Sequence, residues 1–187
     1  MLGCGHPHPG NGGATRHVCK DMSDISSVTI RPIEPGDKDR LATFFSQLSD
    51  ESRRRRFLGP KPKLSARELV FLTDVDQCRL VALVAVDSVG AIIGVGRYAT
   101  WAESPDRAEM AFAVVDEWQG RGLGTALGDR LVACARASGL AALTGSTFAL
   151  NVPAKALLKH LGFLPKGISS GIADYELSLR GALPTAA

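Results

Sequence analysis

The sequence predicts one mixed α/β domain. Its 187 residues suit a single hydrophobic core. Stretches with strand-like alternation interleave with stretches whose apolar residues recur at helical spacing. No internal repeat divides the chain.

The domain is expected over residues 28–180, between a flexible segment at 1–27 and a short tail at 181–187. The opening MLGCGHPHPGNGGATRHVCKD is dominated by Gly, Pro and His and shows no hydrophobic period. Such a segment buries too little apolar surface to offset its ordering entropy. Cys4, His6 and His8 are metal-ligating types, but nothing in their surroundings fixes a geometry, so no metal site is assigned. Met22 opens a more ordinary sequence, and residues 1–21 read as an extension upstream of it.

Val28 to Ile33 alternates as a first strand. Pro35-Gly36-Asp37 turns the chain, with Asp37 expected to cap a helix carrying Leu41, Phe44, Phe45 and Leu48. Ser49 or Asp50 caps a second helix, ESRRRRF, and Ser65 with Glu68 forms a capping box for SARELVFLTD. Arg79–Asp87 and Ala91–Tyr98 read as a hairpin joined by Ser88-Val89-Gly90. Ala108–Val115 is a fourth strand. A glycine-rich turn follows, then a helix from about Gly122 to Ser138 with Leu123, Leu127, Leu131 and Ala135 along one stripe. Ala141–Phe148 is a fifth strand, Asn151–Leu161 a helix ended by Gly162, and Ala173–Leu179 a last strand.

Composition excludes several classes of function. The net charge of +3 is too mild to argue for nucleic acid, though it favours an anionic cofactor. No apolar run approaches the roughly 18 residues that span a bilayer, and no apolar leader is present, so no membrane partner is expected and the chain reads as cytoplasmic. Cys4, Cys19, Cys78 and Cys134 form no CxxC pair and are expected to be free thiols.

The chemistry concentrates in Gln119-Gly120-Arg121-Gly122-Leu123-Gly124-Thr125. Alternate glycines let a backbone approach a ligand closely. The first N–H groups of a helix have no internal partner, and with the helix dipole they attract a phosphate or pyrophosphate. The spacing is GxGxG, not the GxGxxG of dinucleotide-binding folds, and no Lys-Ser or Lys-Thr follows as a Walker loop requires.

Q-x-x-G-x-G between a strand and a helix resembles the pyrophosphate loop of the GCN5-related N-acetyltransferases (GNAT), with Gln119, Gly122 and Gly124 matching. Asn151, Ala154, Leu157, Gly162 and Phe163 resemble the family's downstream motif. The resemblance covers residues 28–180. It implies a central mixed, mostly antiparallel sheet flanked by helices, and acetyl-CoA as co-substrate without a metal. It also implies cofactor contacts from Ala113, Val114, Val115, Gln119, Gly120, Arg121, Gly122, Leu123, Gly124, Thr125 and Asn151. Backbone N–H near Ala113 and Val114, where the strands splay, would stabilise the oxyanion. ESRRRRF, LTDVD with VALVA, and AEMAFAVVDEWQGRGLG further resemble bacterial protein-lysine acetyltransferases that modify acyl-CoA synthetases, which implies such a protein as partner.

Transfer to an amine requires removal of its proton. Glu109 is the candidate base, because Ala111 and Ala113 on its face leave a cleft, and a carboxylate enclosed by apolar groups has its pKa raised. A surface glutamate paired with Arg107 or Arg97 is the alternative. Many family members place a tyrosine where this chain has Leu158, so no general acid is assigned. Arg121 is read as a phosphate contact or a solvated cation, Asn151 as a cofactor contact, a helix cap or both, and Arg53–Arg56 as a solvated face. The leading function is acetyl transfer to a protein lysine. A small or N-terminal amine as acceptor, or an idle acyl-CoA-binding module, stays open.

Overall fold

The computed structural model describes residues 27–180. The expectations for the segment before residue 27, including the Cys4, His6 and His8 cluster, and for 181–187 lie outside the described residues.

Among the described residues, seven strands form one sheet in the order β1-β2-β3-β4-β5-β7-β6. They are β1 (Thr29–Pro32), β2 (Leu80–Val86), β3 (Ile92–Thr100), β4 (Arg107–Val114), β5 (Ala142–Phe148), β6 (Leu164–Ser169) and β7 (Ile172–Ser178). All neighbours are antiparallel except β4 and β5, which run parallel. Five α-helices among the described residues cover the faces: α1 (Lys38–Gln47), α2 (Asp50–Phe57), α3 (Ala66–Thr73), α4 (Leu123–Ala137) and α5 (Val152–His160). The expected mixed, mostly antiparallel α/β architecture is therefore present.

The stripe Leu123, Leu127, Leu131 and Ala135 is buried and seats α4 on the sheet. Two glycines of β3 let it approach closely. A Cβ at Gly94 would lie 3.1 Å from Leu127 Cδ1, and one at Gly96 would lie 2.9 Å from Leu131 Cδ1. On the opposite face, α1 buries Leu41, Phe44 and Phe45. Ser49 accepts from the Ser52 N–H at the start of α2, and Ser65 and Glu68 close the predicted capping box on α3.

Three local expectations change. Asp37 does not cap α1 with its side chain. It is buried, receives two 2.7 Å hydrogen bonds from Arg31, and accepts from the Glu34 N–H. β6 is an additional strand, exposed along its length and paired only with β7. Its sequence LPKGIS lacks a buried alternation because an edge strand needs none. Cys78 is free and exposed, as expected, but Cys134 on α4 is disulfide-bonded.

Candidate functional site

The parallel pair is short. β4 and β5 align only from Arg107 with Ala142 to Glu109 with Thr144, after which the strands part. Val115 N–H donates to Ile93 O, and Trp101 N–H to Arg107 O, so the odd-numbered residues of β4 bond to β3. Backbone groups alternate along a strand, and Phe112 and Val114 therefore turn theirs toward β5, where no strand among the described residues pairs with them. The result is a V-shaped fork with unpaired backbone on one wall.

The fork opens into a cleft of about 590 Å³. Its mouth is the glycine turn. Gly120 (φ 74°) and Gly122 (φ 85°) both lie in the left-handed region, where a side chain is strained. A Cβ at either would meet nothing within 4 Å, so the space beside this backbone is open. Gly122 is the N-cap of α4, whose first N–H groups lack helical partners. The turn thus combines helix-start N–H groups with open space beside its backbone.

A hydrogen-bonded chain fixes this turn to α2. Asp116 accepts from Ser49 N–H, Ser49 Oγ and Ser52 Oγ at 3.0, 2.8 and 2.8 Å. Burial opposes its charge, but these bonds outweigh it and hold the carboxyl below its usual value. Gln119 Nε2 donates to Ser52 Oγ at 3.1 Å and to Val114 O at 3.0 Å. The family-like glutamine therefore ties the turn to α2 and to the end of β4. On the far wall, Asn151 caps α5 through Ala154 N–H and donates to Thr147 Oγ1 at 3.1 Å. α2 lies across the fork, with the Arg54 guanidinium 4.4 Å from the Phe148 ring centroid on β5.

Of the residues expected to meet a cofactor, Ala113, Val114, Gln119, Gly120, Gly122, Gly124, Thr125 and Asn151 line the cleft. The other three do not. Val115 is buried, and its N–H is taken by Ile93. Leu123 turns its side chain into the core. Arg121 is exposed, with its guanidinium 5.3 Å from the Trp118 ring. Ala113 contributes a small side chain, whereas the backbone left without a strand partner beside it belongs to Phe112 and Val114, with Val114 O taken by Gln119.

Glu109 occupies the last paired rung, at the apex of the fork. It is exposed instead of enclosed in an apolar cleft. It pairs with neither expected arginine: Arg107 pairs with Glu176, and Arg97 forms no ion pair among the described residues. Its charge does act on Arg56 of α2, whose guanidinium burial pushes below the usual value against the pull of Glu109.

The sequence reading missed Ser52, Arg55, Arg56, Phe112 and the cleft wall at Gly145–Thr147, all of which line the cleft. The arginine run is not a uniformly solvated face, since Arg56 is half-buried against the cleft. Its alternation with Phe57 was a weak signal that one side of α2 faces inward. Leu158 is buried and carries no exchangeable proton.

A family model described as the acetyltransferase (GNAT) family matches residues 44–163. Acetyltransferase PA5475 of Pseudomonas aeruginosa is 32% identical over 151 residues, 79% of this chain and 81% of that protein. The crystal structure of the GNAT domain of S. lividans PAT is 32% identical with a TM-score of 0.76, covering 81% of this chain and 90% of that one. The yncA acetyltransferase of Salmonella typhimurium, solved with its cofactor acetyl-CoA, is 20% identical with a TM-score of 0.70 and shares the fold over 87% of this chain and 100% of that one. Among the described residues, no helix is long and apolar enough to cross a membrane.

Proposed function

Because the chain belongs to the acetyltransferase (GNAT) family, we propose that it transfers the acetyl group of acetyl-CoA to a protein lysine, with Glu109 as general base. The observation that carries this reading is the fork. Its mouth offers N–H groups to a pyrophosphate and its wall offers unpaired backbone to an extended amide chain, and the last paired rung below it carries Glu109, exposed and outside the residues that line the cleft.

The pyrophosphate of acetyl-CoA sits at the turn from Gly120 to Gly124, where the α4 N-terminus favours negative charge. The amide-bearing arm runs along Phe112 and Val114 like an added strand. That course brings the thioester toward Glu109. The amine nitrogen attacks the thioester carbon, and its proton passes to the Glu109 carboxylate, directly or through a water. Backbone N–H on the free edge of β4 receives the oxyanion. The C–S bond then breaks, and coenzyme A departs as thiolate to be protonated by solvent. A protein lysine is favoured as acceptor by the likeness of ESRRRRF and AEMAFAVVDEWQGRGLG to protein-lysine acetyltransferases, and by the S. lividans PAT domain. An acyl-CoA synthetase is the corresponding partner.

The test is Glu109→Gln, which keeps the shape and removes the basicity. Acetyl-CoA binding by calorimetry should be unchanged, while turnover on a lysine-bearing acceptor falls by roughly 10² to 10⁴. The deficit should shrink as pH rises toward the lysine pKa of about 10.4. Near-wild-type turnover at neutral pH would remove Glu109 from this role.

A further inference from the structure

A second pocket lies on the α1–α3 face of the sheet, beside the transfer position. It has a volume of about 40 Å³, and Ala113 and Arg56 line both it and the main cleft. Its walls are mostly apolar, with Phe44, Leu72 and Val95 among them, yet two arginines, Arg56 and Arg97, also line it.

Arg97 is the anomaly. It is only 7% exposed. Among the described residues it makes no side-chain hydrogen bond and no ion pair. Its one recorded partner is the ring of Phe71, whose centroid lies 5.5 Å from the guanidinium carbon. Phe71 sits on α3 and is itself 62% exposed, covering the arginine from outside. Burial and then the like charge of Arg56 push Arg97 down to about 10. A buried guanidinium facing a second cation, with no anion paired to it among the described residues, is costly; Glu109 acts on Arg56 and not on Arg97.

The surrounding geometry shows what would balance these charges. Arg97 pairs with Ala111 across β3 and β4, and Glu109 pairs with Ala99. Arg97 is thus on the same sheet face as Glu109, one diagonal step away, a separation of about 7–8 Å between backbone positions. A planar guanidinium presents paired donors that match a carboxylate. The pocket holds a few times the roughly 10–15 Å³ that one water requires, room for a carboxylate and not for a bulky anion.

We propose that Arg97 and Arg56 form a carboxylate subsite beside the transfer position, so that one of the two substrates carries a carboxylate there. That carboxylate belongs either to the acceptor, near its reacting amine, or to the far end of a dicarboxylic acyl group on coenzyme A. The inference rests on the acyltransferase reading above and narrows its substrate class.

The experiment has two arms on the full chain. The acyl arm compares succinyl-CoA with acetyl-CoA and butyryl-CoA as donors. The acceptor arm compares lysine peptides carrying Glu or Gln beside the lysine, and amino acids with their amides. In one arm the wild type should favour the carboxylate member by about 10-fold or more in kcat/KM, and the responding arm identifies the source. Arg97→Met should erase that preference, Arg97→Lys should keep part of it, and Arg56→Gln should weaken it. Equal rates within both arms for the wild type, or a preference surviving in Arg97→Met, would overturn the subsite. A melting-temperature shift with coenzyme A separates the two failures. Its absence in the wild type overturns the acyltransferase reading and the subsite with it, whereas its presence without carboxylate preference overturns the subsite alone. If Arg97→Met shows no cooperative melting, Arg97→Lys and Arg56→Gln decide the matter by the same ratio.

Discussion

Gly122→Ala separates a backbone requirement for binding from one for folding, and Gly128→Ala is its counterpart. Gly122 has φ 85°, and a Cβ built there meets no atom within 4 Å. The free protein therefore loses only the left-handed backbone penalty, about 1 kcal/mol. In the proposed binding mode, however, the added methyl stands where the phosphate approaches the α4 N-terminus. Loss of one charge-assisted hydrogen bond, about 1.5–3 kcal/mol, corresponds to roughly 10- to 100-fold in affinity. At Gly128 the situation reverses. A Cβ would lie 2.6 Å from Leu161 Cδ1 and 2.9 Å from Cδ2, and Leu161 is buried. Overpacking of about 1–3 kcal/mol exceeds the gain of about 1 kcal/mol in helix propensity. Calorimetric titration with coenzyme A, beside thermal melting, reads both quantities. Gly122→Ala should lower Tm by about 2–4 °C and weaken binding at least about 10-fold. Gly128→Ala should lower Tm by a similar amount and bind nearly as the wild type does. Wild-type affinity in Gly122→Ala would refute the assignment of the turn as the pyrophosphate site.

Asp37→Asn should cost about 3 kcal/mol at neutral pH, because it leaves Arg31 facing a neutral partner in a buried pair. Hydrogen bonding from Arg31 holds the Asp37 carboxyl below its usual value, so its contribution is present above about pH 4 and is lost as pH falls through the lowered folded pKa. Acid unfolding of the variant should accordingly show a weaker pH dependence than that of the wild type. Asn151→Ala should lose about 1–2 kcal/mol by thermal melting, from the α5 cap and the bond to Thr147. With Leu158 where a proton donor is common, the pH profile of kcat/KM should rise to a plateau with no descending limb up to about pH 9; a bell shape would reveal a general acid.

The parts of the site written into local sequence were readable because each satisfies a local backbone demand. The turn needs positive φ at Gly120 and Gly122, and only glycine meets that demand at no cost, so the motif is visible. The caps at Ser49, Ser65 and Asn151 leave marks for the same reason. What was hidden depends on partners distant in the chain. Asp37 looked like a cap until Arg31 claimed it. Phe112, and not Ala113, carries the free backbone because of its register with β3, which no single segment records. Glu109 was expected in an enclosed cleft from the small residues beside it, but its exposure is set by where β5 diverges. Arg56, Phe71 and Arg97 come from three elements and share no motif, so their convergence appears only in three dimensions.

β4 explains how one strand can serve both substrates. Its unpaired edge, at Phe112 and Val114, offers backbone to an extended chain. One face, through Met110 and Phe112, packs toward α4 and α5, as shown by the position of Gly96 against both Phe112 and Leu131. The other face carries Glu109, Ala111 and Ala113, opposite Ala99, Arg97 and Val95. Small residues at 111 and 113 keep that face open between the carboxylate and the paired guanidinium groups. Donor and acceptor would thus meet at the strand from different directions, the donor along its edge and the acceptor across its face. This requires that the edge be free, which follows from the early divergence of β5 after Thr144. The same divergence leaves Glu109 at the last paired rung, next to Met110 and Ala111, the first β4 residues that line the donor cleft.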